Sequence, residues 1–156
     1  MWTHGCFFWN ELNTRDADRA RAFYAETLGW SFEALSMPDG IYWLAKCNGR
    51  PVAGLFTMSG AEFEGIPDHW FPYIAVDDVD ARIAAVATAG GAILRAPWDV
   101  PGIGRIAIVR DRNGAALGWM TPAGDTSSVT ADPQDFEPAR ATEPGHRTDL
   151  ELGASV

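Results

Sequence analysis

The chain has 156 residues, 47% of them hydrophobic, and a formal net charge of −9 at neutral pH. That is enough apolar material for one domain, or for two small modules sharing a core. The acidity argues against nucleic-acid binding, which needs a basic face, and allows a cationic ligand without demanding one.

Seven acidic and two basic residues follow Gly124, so much of the charge belongs to the stretch 123–156. That stretch is rich in Gly, Ser, Thr, Asp, Pro and Glu. It reads as a flexible acidic tail, or as an arm laid along the surface, and its His146 is set aside as a site residue. No apolar run approaches the roughly 20 residues of a membrane span. MWTHGCFFWNEL lacks the basic and apolar regions of a signal peptide. Cys6 and Cys47 lack metal-ligand spacing and read as small core residues. The cytoplasm is the expected location.

In chain order, Cys6–Leu12 reads as a strand. Asp16 offers a helix cap, and Ala20, Phe23, Tyr24, Thr27 and Leu28 recur at helical spacing, predicting a helix over Ala17–Leu28. Gly29 suits its left-handed end. Strands follow at Trp30–Leu35, Ile41–Lys46 and Val52–Thr57, separated by turns at Pro38-Asp39-Gly40 and Asn48-Gly49. A Gly/Glu/Pro-rich connector spans Ser59–Asp68. The order then repeats. Trp70–Val76 is a strand, and Asp78 caps a helix with Val79, Ile83, Val86 and Ala87 on one face. Gly90-Gly91 ends it. Ala92–Ala96 is a strand and Pro97–Gly104 a loop. Arg105–Arg110 and Ala116–Met120 are strands joined by the Asn113-Gly114 turn.

The repetition extends to residues. Shifted by 62 positions, Leu12 falls on Ile74, Asp16 on Asp78, Asp18 on Asp80, Ala22 on Ala84, Ala25 on Ala87, Gly29 on Gly91 and Phe32 on Leu94. Two copies of one supersecondary unit each carry an apolar face that neither buries alone. A cleft between them is a natural small-molecule site.

Two tandem β-α-β-β-β units, with AFYAETLGW in the first helix, YIAVDDVDARIAAVATAGG in the second unit and DRNGAALGW at the close, resemble the vicinal oxygen chelate superfamily. That group includes glyoxalase I, bleomycin-resistance proteins and extradiol dioxygenases. The resemblance covers residues 4–122, although Arg112 stands where the family usually has Pro. It implies an α+β fold: two tandem βαβββ modules, 4–58 and 69–122, forming a cupped mixed sheet with helices on the outer face. Metal-dependent members place His or Gln on the first strand and Glu on the last strand of each unit. The corresponding positions here are Trp9, Phe71, Gly54 (Ala53 if the alignment shifts by one) and Gly118. None offers a side-chain donor to a divalent ion, so no metal and no other cofactor is expected.

Alternation along the strands predicts what lines the cup. Phe7, Trp9 and Glu11 share one face with His69, Phe71 and Tyr73, while Phe8, Leu12, Ile74 and Val76 pack on the helices. Gly54 and Gly118 leave room beside the rings. Either Tyr42 or Trp43 faces the cup, and Trp43 is preferred, with core packing as its alternative. Trp98 would cover the cleft from the loop Trp98–Arg105, unless that is an ordinary surface loop. Glu11 would be raised in pKa by desolvation unless a cation pairs with it, and could be structural, a ligand contact or a general base. His69 could be a strand-start histidine bonded to the connector, a ligand contact or base, or a replacement metal ligand with Glu11 or His4.

Three functions compete. The first is a metal-free protein binding a small aromatic or cationic molecule, similar to the bleomycin-resistance branch. The second is a lyase, isomerase or dioxygenase using Glu11 or His69 as base, or an atypical metal site. The third is an interaction module. No nucleic-acid or membrane partner is expected, and a homodimer is favoured.

Overall fold

The computed structural model describes residues 2–37 and 40–124. The chain runs β1 (Phe7–Thr14), α1 (Ala17–Leu28), β2 (Ser31–Met37), β3 (Gly40–Cys47) and β4 (Arg50–Thr57). After a 3-10 turn at Ala61–Phe63 it continues as β5 (His69–Ala75), α2 (Val79–Ile83), β6 (Ala92–Val100), β7 (Gly104–Arg110) and β8 (Ala116–Pro122). The expected tail, and the Pro38-Asp39 half of one turn, lie outside the described residues.

Helix α1 forms where its signals place it. The Asp16 side chain accepts the Arg19 backbone N–H, and Gly29, at φ 69°, closes the helix by donating to Ala25 and Tyr24 carbonyls. Its second-half counterpart is shorter. Asp78 caps α2 through the Ala81 N–H, but after Ile83 the backbone passes into turns up to Gly90. Gly91 then runs against β7, where a Cβ would lie 2.6 Å from the Arg110 carbonyl oxygen. Only glycine permits that approach, and it holds the turn segment down on the sheet.

The eight strands form one mixed sheet in the order β2-β3-β4-β1-β5-β8-β7-β6. Within each half the first and last strands pair parallel, β1 with β4 and β5 with β8. The halves join by antiparallel pairing of β1 with β5. Asn10 faces Pro72 at this seam. Those two residues are themselves 62 apart, so the pseudo-two-fold axis passes between them.

Helices cover one face of the sheet. Leu12, Ala45, Ala53 and Leu55 pack under Ala20 and Tyr24 of α1, and Val76 and Ala107 pack under Val79 and Ile83 of α2. Trp70 donates from Nε1 to the Tyr24 hydroxyl at 3.0 Å and joins Tyr24 and Trp30 in an aromatic cluster on this side. The opposite, helix-free face carries its own cluster: Trp9, Tyr73, Ile106 and Met120, with Phe8, Leu44, Phe71, Trp98, Val100 and Ile108 against it. The connector is tied down by Asp68, whose Oδ2 accepts the Thr14 hydroxyl at 2.5 Å. Arg15 also donates to the Phe63 and Ile66 carbonyls. Both cysteines are free, and Cys6 is exposed instead of in the core.

Candidate functional site

Several expectations about the lining need correction, and strand irregularities explain those at Phe7, Phe8 and Trp98. A bulge in β1 sets Phe7 opposite Ile74 and Trp9 opposite Tyr73. The extra residue turns Phe8 to the helix-free cluster and leaves Phe7 outside it, 69% exposed. The expected loop after Ala96 is strand: β6 continues through Pro97 to Val100, absorbing the proline with two register shifts at the sheet edge. Trp98 is therefore a wall packed on the helix-free cluster and not a cover carried by a loop. A further correction is one of facing. Trp43 lies opposite Leu55 on the helix side, with the Arg21 guanidinium of α1 3.5 Å from its ring centroid. Its neighbour Tyr42 turns to the helix-free face, where it accepts from Trp9; a pocket among the described residues lies elsewhere, at the connector, between Arg15 and the segment 60–67.

Trp9, Glu11, His69, Phe71 and Tyr73 share the helix-free face, as alternation requires. Glu11 lies opposite Phe71 across the seam, and Trp9 opposite Tyr73. The polar centre is a short chain of hydrogen bonds. Trp9 Nε1 donates to the Tyr42 hydroxyl at 3.0 Å, Tyr42 hydrogen-bonds to Glu11, and Tyr73 donates to Glu11 Oε1 at 3.2 Å. Glu11 and Tyr73 occupy equivalent positions in the two halves.

The glycines do not leave open space. A Cβ on Gly54 would lie 1.6 Å from the Tyr42 hydroxyl oxygen, and one on Gly118 would lie 2.0 Å from Cδ1 of Tyr73. Each glycine is the seat of a tyrosine. Tyr42, the alternative to the preferred Trp43, is the residue of β3 that faces this side. The bulge between Ala45 and Lys46 hides its facing, although a tyrosine 12 residues ahead of a glycine on the adjoining strand is compatible with it.

Burial raises the Glu11 carboxyl above its ordinary value, while the Tyr42 and Tyr73 hydrogen bonds and the nearby His69 pull it partly back. Burial and the adjacent Glu11 push both phenols well above their ordinary value, so they act as hydrogen-bond donors and not as acids; the Arg95 charge offsets this slightly at Tyr73. A carboxyl poised this way can accept a proton from a ligand or present one to it. His69 sits at the rim. Its Nδ1 lies 2.8 Å from the Pro67 carbonyl, to which it donates, leaving Nε2 to accept from Asn13 Nδ2 at 3.2 Å. The connector bond is thus made, and the ring is engaged at both nitrogens. Asn13 Oδ1 is buried without a partner among the described residues.

Trp9, Phe71, Gly54 and Gly118 present indole, phenyl and no side chain, and the Trp9 nitrogen donates a proton instead of a lone pair. A longer acidic residue at either glycine would collide with the tyrosine above it. Among the described residues, no three His, Cys, Asp or Glu side chains converge as a metal cluster. The residues present do not fit a divalent ion at these positions.

Comparison with known proteins agrees with the fold. The family model for the Glyoxalase/Bleomycin resistance protein/Dioxygenase superfamily matches residues 7–118. The provisionally named glyoxylase CFP32 of Mycobacterium bovis is 38% identical over 115 residues, covering 72% of this chain and 44% of that protein. The anthracycline biosynthesis protein DnrV of Streptomyces peucetius is 32% identical over 138 residues, covering 80% of this chain and 50% of that protein. The chain spans about half the length of these two relatives. Methylmalonyl-CoA epimerase from Mycobacterium tuberculosis superposes with a TM-score of 0.59 at 16% identity, covering 83% of this chain and 97% of that one. The sequence match and the paired halves of the sheet lead to one conclusion: this chain belongs to the glyoxalase/bleomycin resistance protein/dioxygenase superfamily.

Proposed function

We propose that this protein binds a small aromatic molecule on the helix-free face without a metal ion. The observation that carries the reading is the seating of Tyr42 over Gly54 and Tyr73 over Gly118, both bonded to Glu11. Positions that hold acidic ligands in metal-dependent relatives here hold the floor of an aromatic wall. Because the tyrosines fill the centre, a ligand would rest on top of them, against Trp9, Phe71 and Trp98. Glu11 is its polar contact, and the two phenols already satisfy part of that carboxyl. This favours an aromatic ligand over a cationic one. A relative named for anthracycline biosynthesis suits fused aromatic rings.

On the same footing we place the protein in the cytoplasm, where free cysteines are ordinary, and as a homodimer.

A second reading rests on the raised Glu11 carboxyl: a lyase or isomerase in which Glu11 takes a proton from a bound substrate. Elemental analysis of purified protein and quenching of tryptophan fluorescence by aromatic ligands separate the readings. Binding without turnover, and without stoichiometric metal, is expected. Stoichiometric Zn, Ni, Mn or Fe would overturn the metal-free reading. Turnover abolished by Glu11→Gln would establish the second.

A further inference from the structure

On a regular strand, residues three apart point to opposite faces. Arg95 and Trp98 do not. The register of β6 slips on either side of Arg95, so that Arg95 lies opposite Ile108 and Trp98 opposite Ile106. Ile106 and Ile108 both belong to the helix-free cluster around Trp9 and Tyr73. The irregularity therefore brings a cation and an indole onto the helix-free face, a common use of bulges beside binding sites.

The two side chains touch. The Arg95 guanidinium carbon lies 3.7 Å from the Trp98 ring centroid. Stacking occupies one face of the guanidinium and leaves its N–H fork, which lies in the plane, open to an acceptor. Among the described residues several other cations pair with carboxylates, Arg21 with Asp18, Lys46 with Glu33, Arg82 with Asp77, and Arg105 with Asp80 and Asp99, while Arg15 and Arg112 donate to backbone carbonyls. Arg95 has no carboxylate partner among the described residues. Its counterpart 62 positions earlier is Glu33. That residue lies opposite Leu44 on the same face and is neutralised by Lys46. One end of the helix-free face is balanced, and at the other Arg95 keeps a positive charge with no carboxylate against it among the described residues, in a protein whose net charge is −9.

We propose that Arg95, stacked on Trp98, recognises an anionic group, so that the ligand is a planar aromatic molecule carrying a carboxylate, sulfonate or ionised phenol. The ring lies along the Trp98 wall and the charge meets the guanidinium fork. This rests on the aromatic-binding reading above and adds the ligand's charge to it.

The test uses a matched pair of dyes on the full chain: 8-anilinonaphthalene-1-sulfonate and its uncharged parent N-phenyl-1-naphthylamine, titrated by fluorescence. The sulfonate is expected to bind about tenfold more tightly than the neutral dye, the effect of one charge-assisted hydrogen bond. Arg95→Gln should erase that preference while leaving the neutral dye within about twofold of its original Kd, and Arg95→Lys should restore part of it. Arg19→Gln, a change on exposed α1, should leave the preference intact. Trp98→Leu should weaken both dyes, locating them at this wall. Equal binding of the two dyes by the wild type overturns the anion site and leaves aromatic binding standing; binding of neither overturns both. A sulfonate preference that survives Arg95→Gln, equal weakening of both dyes by that variant, or unaltered binding after Trp98→Leu also overturns the proposal.

Discussion

Replacing Gly54 with alanine adds one methyl group and should cost far more than a methyl usually does. The backbone at Gly54 needs no left-handed conformation, so alanine meets no strain there. The cost comes from Tyr42, whose hydroxyl oxygen and Cζ would lie 1.6 and 2.3 Å from the new Cβ. The ring has to leave its seat. When it does, Trp9 Nε1 loses its acceptor and Glu11 loses a donor. Trp9 is only 9% exposed, so water does not readily replace the lost bond. Overpacking costs about 1–3 kcal/mol and an orphaned buried donor about 1–3 kcal/mol. Departure of the ring relieves some of the overlap, so the combined cost is about 2–4 kcal/mol. Against a total stability of about 5–15 kcal/mol this is large, and it lowers Tm by on the order of 10 °C. Urea unfolding followed by tryptophan fluorescence reads it as a shift in midpoint at constant slope. The decisive comparison is a cycle with Tyr42→Ala, in which the glycine substitution should become nearly free, giving a coupling of about 2 kcal/mol. A cost below about 0.5 kcal/mol, or the same cost with and without the Tyr42 ring, would refute the argument.

Gly118→Ala should be worse still, because the obstructing atom belongs to the ring of Tyr73, itself only 8% exposed; a stability within about 0.5 kcal/mol of the wild type, by the same unfolding assay, would contradict this. Glu11 makes stability depend on pH in an unusual direction. Its folded-state pKa is raised above the ordinary 4.5, mainly by burial, so the folded protein holds this proton more tightly than the unfolded chain. The resulting stability is fully present below pH 4.5 and is lost as pH rises through the folded-state pKa. Denaturation of the wild type and Glu11→Gln across this window should show the wild type losing ground as pH rises; a pH-independent difference would remove the assigned shift. Asp16→Ala removes the side-chain acceptor of the Arg19 N–H and should cost about 1 kcal/mol in urea unfolding.

The repeat made much of the fold legible. Strong local signals, such as Asp16 and Gly29 at the two ends of α1, need no tertiary information. The second helix shows where that stops: Asp78 starts it as expected, yet it ends after Ile83, because Gly91 and the turn before it pack against β7. Facing was legible wherever strands are regular. Trp9, Glu11, Phe71 and Tyr73 follow alternation, whereas Phe7, Trp43 and Trp98 lie beside or beyond irregularities that local sequence does not announce. One extra residue reverses every assignment after it, which also concealed Tyr42 and brought Arg95 onto the helix-free face. The glycines were visible as small positions. That the protein's own tyrosines sit on them depends on contacts between neighbouring strands.

The axis between Asn10 and Pro72 has a consequence for how anything binds. A cleft made of two identical halves would accept an asymmetric guest equally well in either of two poses, half a turn apart. The helix-free face has lost that degeneracy at two places. Glu11 faces Tyr73 where a faithful duplicate would set two carboxyls or two phenols against each other, and Glu33, neutralised by Lys46, stands where the other half has Arg95. The two halves thus differ at these positions, and a guest with distinct ends bound on this face would meet a different group in each of the two poses.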